Sequence, residues 1–347
     1  MESKVNDLQK DRDRKYYLTE KSNGERCADN GELAKALIHF RNAYETEHGK
    51  KDKEMVIDMA GILAELGEPR AVWDFCQELL KAEETRGYAY YVLGASNQNA
   101  GNFAEAIEYY LKGLELPEGE ASFLIEPHLL IGKCYSKLHQ FEKGIAYLEK
   151  AVEIDPNNAS VHHDLGECYV FAEQHLKAYR HLKQASKLNP KAATLGYLGI
   201  ACRKLKQIPE AVNYLEKAIR LNKHLADLYV ALGDLYKHDQ EDYEKAVEVY
   251  SQGIENNPEE SELYLLRFAA ASLLSHQYFE KGLNPDEHLP FDLEEIRDAL
   301  ITAARYDDRI KVFEINNTPL RGIMVDGETL TIWRTDDGDM SEFMQLP

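Results

Sequence analysis

Residues 125–158 read IEPHLLIGKCYSKLHQFEKGIAYLEKAVEIDPNN. Ile131, Gly132 and Tyr135 fall at i, i+1 and i+4, which places them on one face of a helix. Phe141, Gly144, Ile145, Leu148 and Ala151 do the same for a second helix. Asp155-Pro156 ends it, because proline disfavours helix at the residue before it, and Asn157-Asn158 suits a turn. These 34 residues predict a helix pair joined by a short turn.

The pair recurs. A small residue followed twelve or thirteen positions later by a second one is found at Gly24/Ala36, Ala60/Val72, Gly94/Ala106, Gly132/Gly144, Gly166/Ala178, Gly199/Ala211 and Gly233/Ala246. Val72 alone among the second members is neither Gly nor Ala. A period near 34 residues means one helix pair per repeat, stacked so that neighbours bury a common core. The spacing predicts close contact between the two small residues of each pair. Leu165-Gly166-Glu167-Cys168-Tyr169 with Asn189-Pro190, and Leu232-Gly233-x-x-Tyr236 with Asn257-Pro258, repeat the pattern. The unit around Leu198-Gly199 ends in Asn222-Lys223 without a proline, and the last has one extra residue in the turn within 238–242. A longer turn, 118–124, follows the third unit.

Leu-Gly-x-x-Tyr followed by Ala at this period resembles the tetratricopeptide repeat over about residues 17–258, roughly seven repeats. The expected fold is all-α: a right-handed solenoid of about seven to eight antiparallel helix pairs, with a small C-terminal β element. Residues 1–16, dense in both charge signs, form a leader. Residues 259–306 read as a degenerate eighth repeat with capping helices at 261–281 and 292–306, Gly282 stopping the first. Residues 307–347 are a β-rich tail: 310–315, 320–325 and 329–333 are rich in β-branched and aromatic residues, and Asp326-Gly327 is a hairpin signal.

Composition narrows function. Net charge is −20 with 61 acidic and 41 basic residues, so the surface repels nucleic acid and anionic lipid at long range. The start of the chain lacks the apolar segment of a signal peptide, and no run of eighteen apolar residues exists. A cytoplasmic protein is expected, with no nucleic-acid or membrane partner. Cys27, Cys76, Cys134, Cys168 and Cys202 fall in repeat helices as small buried hydrophobes. No P-loop, dinucleotide fingerprint, G-x-S-x-G or H-E-x-x-H is present. His162 occupies a core position, and adjacent His163 points about 100° away from it, so the two do not share a metal. No catalytic, metal or cofactor site is expected.

Binding surface is the better candidate. In the family, helix-A residues that do not pack within the array line a concave groove. That register, carried onto this chain, gives Tyr88, Tyr91, Gln98, Asn99, Lys133, Lys137, His163, Glu167, Phe171, Arg203, Lys204 and Lys237, with Asp234 and His238 beside the last. Tyr88 and Tyr91 are candidate aromatic anchors. Lys133, Lys137, Arg203, Lys204 and Lys237 either favour an acidic or C-terminal-carboxylate ligand or pair with carboxylates on neighbouring helices. Some relatives bind chaperone C-termini through Lys and Asn residues on three consecutive A helices; only Lys21 fits that pattern here. The expected function is a non-enzymatic scaffold binding a partner peptide or protein. Self-assembly, or a role as accessory subunit of an enzyme complex, are the alternatives.

Overall fold

The computed structural model describes residues 2–67, 69–81, 83–116, 125–303, 310–314, 320–325 and 328–334. The turn at 118–124, the Asp326-Gly327 turn and residues 335–347 lie outside them. The chain divides into two units, Met1–Glu173 and Gln174–Pro347.

In the first unit the helices are α1 (Glu2–Asp29), α2 (Leu33–Tyr44), α3 (Lys53–Glu65), α4 (Pro69–Leu79), α5 (Glu83–Asn99), α6 (Phe103–Leu114), α7 (Ile125–Lys137), α8 (Phe141–Ile154) and α9 (Ala159–Phe171). Each helix packs on the next in sequence, and α3 on α5 and α7 on α9 as well. The leader, residues 1–16, is helical from Glu2. It runs without a break into the first repeat helix, because nothing before Gly24 is a helix breaker and Lys, Arg, Gln, Glu and Leu dominate.

The second unit holds α10 (His175–Leu188), α11 (Ala192–Lys204), α12 (Ile208–Leu221), α13 (Ala226–Asp234), α14 (Tyr243–Asn256), α15 (Ser261–Glu280), α16 (Pro285–His288) and α17 (Leu293–Ala303). A π-helical turn, Leu235–Asp239, extends α13 and takes up the extra residue of that turn. Beyond it, β1 (Ile310–Glu314), β2 (Leu320–Val325) and β3 (Glu328–Arg334) pair antiparallel in the order β1-β2-β3, with a register irregularity at Ile323/Met324.

The glycine at 24, 94, 132, 199 and 233 is a seat for a large side chain as well as a close neighbour of the facing small residue. A Cβ on Gly132 would lie 2.5 Å from Leu148 Cγ, and one on Gly233 would lie 2.3 Å from Tyr250 Cε1. The side chain that fills the seat stands four residues after the second small residue. It is Phe40, Tyr110, Leu148, Leu215 or Tyr250, each no more than 2% exposed. The small second member brings the helices close enough for this: a Gly144 Cβ would lie 3.1 Å from Gly132 O. The predicted pair is therefore a triad of two small residues and one large.

The A-to-B turns share one geometry. Gly31, Gly67, Gly101, His139, Glu173, Lys206 and Glu241 all have φ between +54° and +80°. At His139 the turn closes with His139 N–H to Ser136 O at 2.9 Å and Gln140 N–H to Tyr135 O at 2.9 Å, the Schellman pattern that satisfies the last carbonyls of the helix. The B-to-A turns are equally regular. Asn222, which lacks the following proline, has φ −150° and ψ 101°, against −151° and 99° for Asn189 before Pro190. Its side-chain Oδ1 accepts from His224 N–H at 3.0 Å, a local bond that fixes the turn without proline.

Candidate functional site

Three consecutive A helices, α5, α7 and α9, place Gln98, Asn99, Lys133, Lys137, Asp164 and Glu167 around a cleft of about 320 Å³, with Phe103 at its edge. Five of these were singled out from sequence. Asp164 carries no sequence signal, because an acid on a helix reads as solvated.

Each side chain in the cleft is held differently. Gln98 Oε1 accepts from Tyr110 Oη–H at 3.0 Å and lies 3.6 Å from Cys134 Sγ. Two donors on the oxygen fix the amide orientation and leave the Nε2 hydrogens for another acceptor. Asn99 Nδ2 donates to Ala64 O at 3.2 Å, which leaves its Oδ1 as an acceptor. Lys133 Nζ lies 3.3 Å from Asp164 Oδ2, an enclosed oxygen with no aligned hydrogen bond. Burial pushes the Asp164 carboxyl above its ordinary value, against the pull of Lys133 and His163. Lys137, one turn further along α7, is exposed.

His163, Asp164 and Glu167 bring one potential metal-ligand atom each within 4.8 Å of one another. The Lys133 ammonium beside Asp164 competes with a cation for that position, so the arrangement suits an ion pair.

The other sequence candidates are placed as follows. Tyr88 and Tyr91 are half-buried against the core, with ring centroids 6.1 Å apart, and Tyr91 lies 6.2 Å from Tyr110. Both pack against the core of the repeat and stay partly exposed. Phe171 is 50% exposed and stacks on Phe141, 5.0 Å away at 11°. In the second unit Arg203 Nε donates to Asp239 Oδ2 at 2.5 Å, and its guanidinium also reaches Asp234 O. Lys237 is buried, with Nζ 3.4 Å from Asp234 Oδ1 and 5.9 Å from the Tyr250 ring. His238 Nε2 lies 4.0 Å from that Asp234 oxygen. Lys204 is exposed. Of the two alternatives for these cations, Lys133, Arg203 and Lys237 take the pairing one, each lying beside a carboxylate. Buried charge without a partner is too costly to persist, and the acid-rich sequence supplies partners nearby. Lys21, the one residue that fitted a chaperone clamp, bonds Asp52 Oδ2 at 2.6 Å.

His162 and four of the five cysteines are buried, as expected, whereas Cys27 is half-buried. His162 is 6% exposed, with Nε2 2.9 Å from Pro156 O. Burial raises the thiols of Cys134, Cys168 and Cys202 to about 11 and that of Cys76 to about 12, which keeps them protonated and unreactive.

Family models described as tetratricopeptide repeat match residues 87–119, 125–158, 147–180, 195–224 and 226–260. Among curated proteins, "Protein CTR9 homolog" of Arabidopsis thaliana is 27% identical over 151 residues, covering 44% of this chain and 11% of that protein. "BBSome complex member BBS4" of Mus musculus is 42% identical over 67 residues, covering 19% and 12%. The matches thus span about a tenth of the length of these relatives. Among solved structures, the Pseudomonas aeruginosa pilF protein has a TM-score of 0.48 and 21% identity, covering 63% of this chain and 89% of that one. For MamA the TM-score is 0.41 and the identity 26%, covering 51% and 95%. No described helix is long and apolar enough to cross a membrane.

Proposed function

We propose, from the premise that residues 87–260 make this chain a member of the tetratricopeptide repeat family, that the protein is a non-enzymatic scaffold holding an extended polypeptide in the cleft of α5, α7 and α9. One observation carries the reading: Gln98 and Asn99 sit side by side with a pinned donor and a free acceptor facing a ligand-sized cleft. A peptide unit presents the complementary acceptor and donor, and a stacked helical array offers a long open surface for such a chain. Lys137 supplies positive charge at one edge and Glu167 negative charge at the other, so the polypeptide is read for shape and backbone before net charge. We read α15 and α17, which bury Leu263, Ala270, Ile296 and Leu300, as the cap of the second unit's core.

A photocrosslinker at Lys137 in the full chain tests the cleft. The expected product is one dominant polypeptide adduct from the native host, lost on Gln98→Ala plus Asn99→Ala while helical content is kept. An adduct pattern insensitive to that pair, or no polypeptide adduct, refutes the reading.

A further inference from the structure

Residues 174–209 hold eight of the chain's 41 Lys and Arg residues and none of its 61 Asp and Glu residues. Positive charge is therefore concentrated in α10, α11 and their turns, within a chain of net charge −20. On α10, Leu176, Arg180, Lys183 and Lys187 follow a four-three-four spacing and share one stripe of the helix. Lys177 and Leu188 border it. The opposite face, Ala178, Leu182 and Ala185, is buried, so the stripe is the helix's outer surface. Leu176 is 55% exposed and Leu188 39%, one at each end. Arg180 and Lys187 are exposed, and no described carboxylate of the same unit lies within ion-pair distance of either.

We propose that the outer face of α10 docks an acidic segment of a partner polypeptide, at a surface separate from the cleft and independent of what the cleft holds. Charge complementarity commits it to an anionic occupant. Size and shape select a polypeptide. Fourteen helical residues span about 21 Å, which about six extended residues cover. A duplex nucleic acid carries a charge about every 1.7 Å over a length far beyond the patch, and the net charge of −20 repels it at long range. A flat anionic membrane meets the same repulsion. The two exposed leucines offer apolar contact to the side chains of a peptide, which a phosphate chain cannot use. Elsewhere acids and bases are interspersed, and an ordinary solvated face would be so here.

The test is fluorescence anisotropy with the full chain and a fluorescein-labelled peptide of glutamate, aspartate and leucine, at about 0.1 M salt. Arg180→Glu with Lys187→Glu should weaken binding at least about tenfold, and Lys50→Glu, an exposed cation of neither the cleft nor α10, should leave it unchanged. If the reversal perturbs the circular dichroism spectrum, Arg180→Ala with Lys187→Ala should still weaken binding about threefold. Equal peptide affinity in wild type and folded variant overturns the proposal. So does tighter variant-sensitive binding of a thymidine oligonucleotide or of phosphatidylserine vesicles. Dimers in sedimentation velocity that the reversal abolishes would give the face to a second copy of this chain, which also overturns it.

Discussion

Gly233 shows what a single methyl group can do in this fold. Its missing Cβ is the space into which the Tyr250 ring fits, and Tyr250 Oη–H donates to Asp234 Oδ1 at 2.8 Å, so the ring cannot turn aside without losing that bond. Gly233→Ala should cost about 3 kcal/mol, measured by urea unfolding, the upper end of overpacking penalties. The neighbouring helical Gly61, with nothing within 4 Å of its would-be Cβ, should instead gain by about 0.5–1 kcal/mol on change to Ala. Asp164 gives a second residue-scale expectation. Burial raises its carboxyl pKa, so the folded state binds more protons than the unfolded state above the unfolded value of about 3.9. Ionised Asp164 therefore costs stability at neutral pH and nothing well below that value. Asp164→Asn should raise the melting temperature at pH 7, and the gain should shrink to nothing near pH 3; a gain that does not change with pH removes burial as its cause. Lys133, whose side chain is 35% exposed, can turn to water when its partner is neutral.

At the scale of the element, the A-to-B turns make a natural comparison. The backbone is left-handed at the same place in every pair, yet the residue is Gly at 31, 67 and 101 and His139, Glu173, Lys206 or Glu241 afterwards. A non-glycine residue pays about 1–2 kcal/mol for that conformation, against about 0.5–1 for glycine's extra freedom in the unfolded chain. His139→Gly and Lys206→Gly should each stabilise by about 0.5–1 kcal/mol, whereas Gly101→Ala, in open space, should lose about as much or more. Thermal melts of the three variants decide it; the same sign for all three would refute the account. These turns also mark the limit of sequence reading. Gly101 announces its turn, but His139 and Glu173 look like solvated residues, and only position within the repeat reveals their backbone. The helices were legible because Gly132, Tyr135, Leu148 and Ala151 keep strict helical spacing. The cover for each glycine was not, since a large residue four positions after an alanine reads simply as core. Ion pairing of Arg203 with Asp239 and Lys133 with Asp164 spans about one period, and spacing alone does not say which acid a cation meets. The acid-free run at 174–209 was in plain view, but chain-wide charge conceals local charge.

For the whole molecule, described contacts join helices next to one another or one step removed within each unit. Stability in such an array is a sum of local pairs and their interfaces. Gly94→Val, whose Cβ would stand 2.4 Å from the Tyr110 ring, should loosen α5, α6 and their immediate neighbours while the amides of α12 and α14 keep their protection. Hydrogen exchange with mass spectrometry reads this directly, and uniform deprotection along the chain would show a single cooperative block instead. The same neighbour-only wiring governs how the protein is made. A glycine seat and the side chain that fills it lie sixteen or seventeen residues apart, as Gly132 and Leu148 or Gly233 and Tyr250 do. Each seat is thus filled soon after its second helix leaves the ribosome, with no wait for the C-terminus. Short loops close quickly, so the chain should fold from its first pairs onward while synthesis continues, and a stalled ribosome should already display ordered repeats.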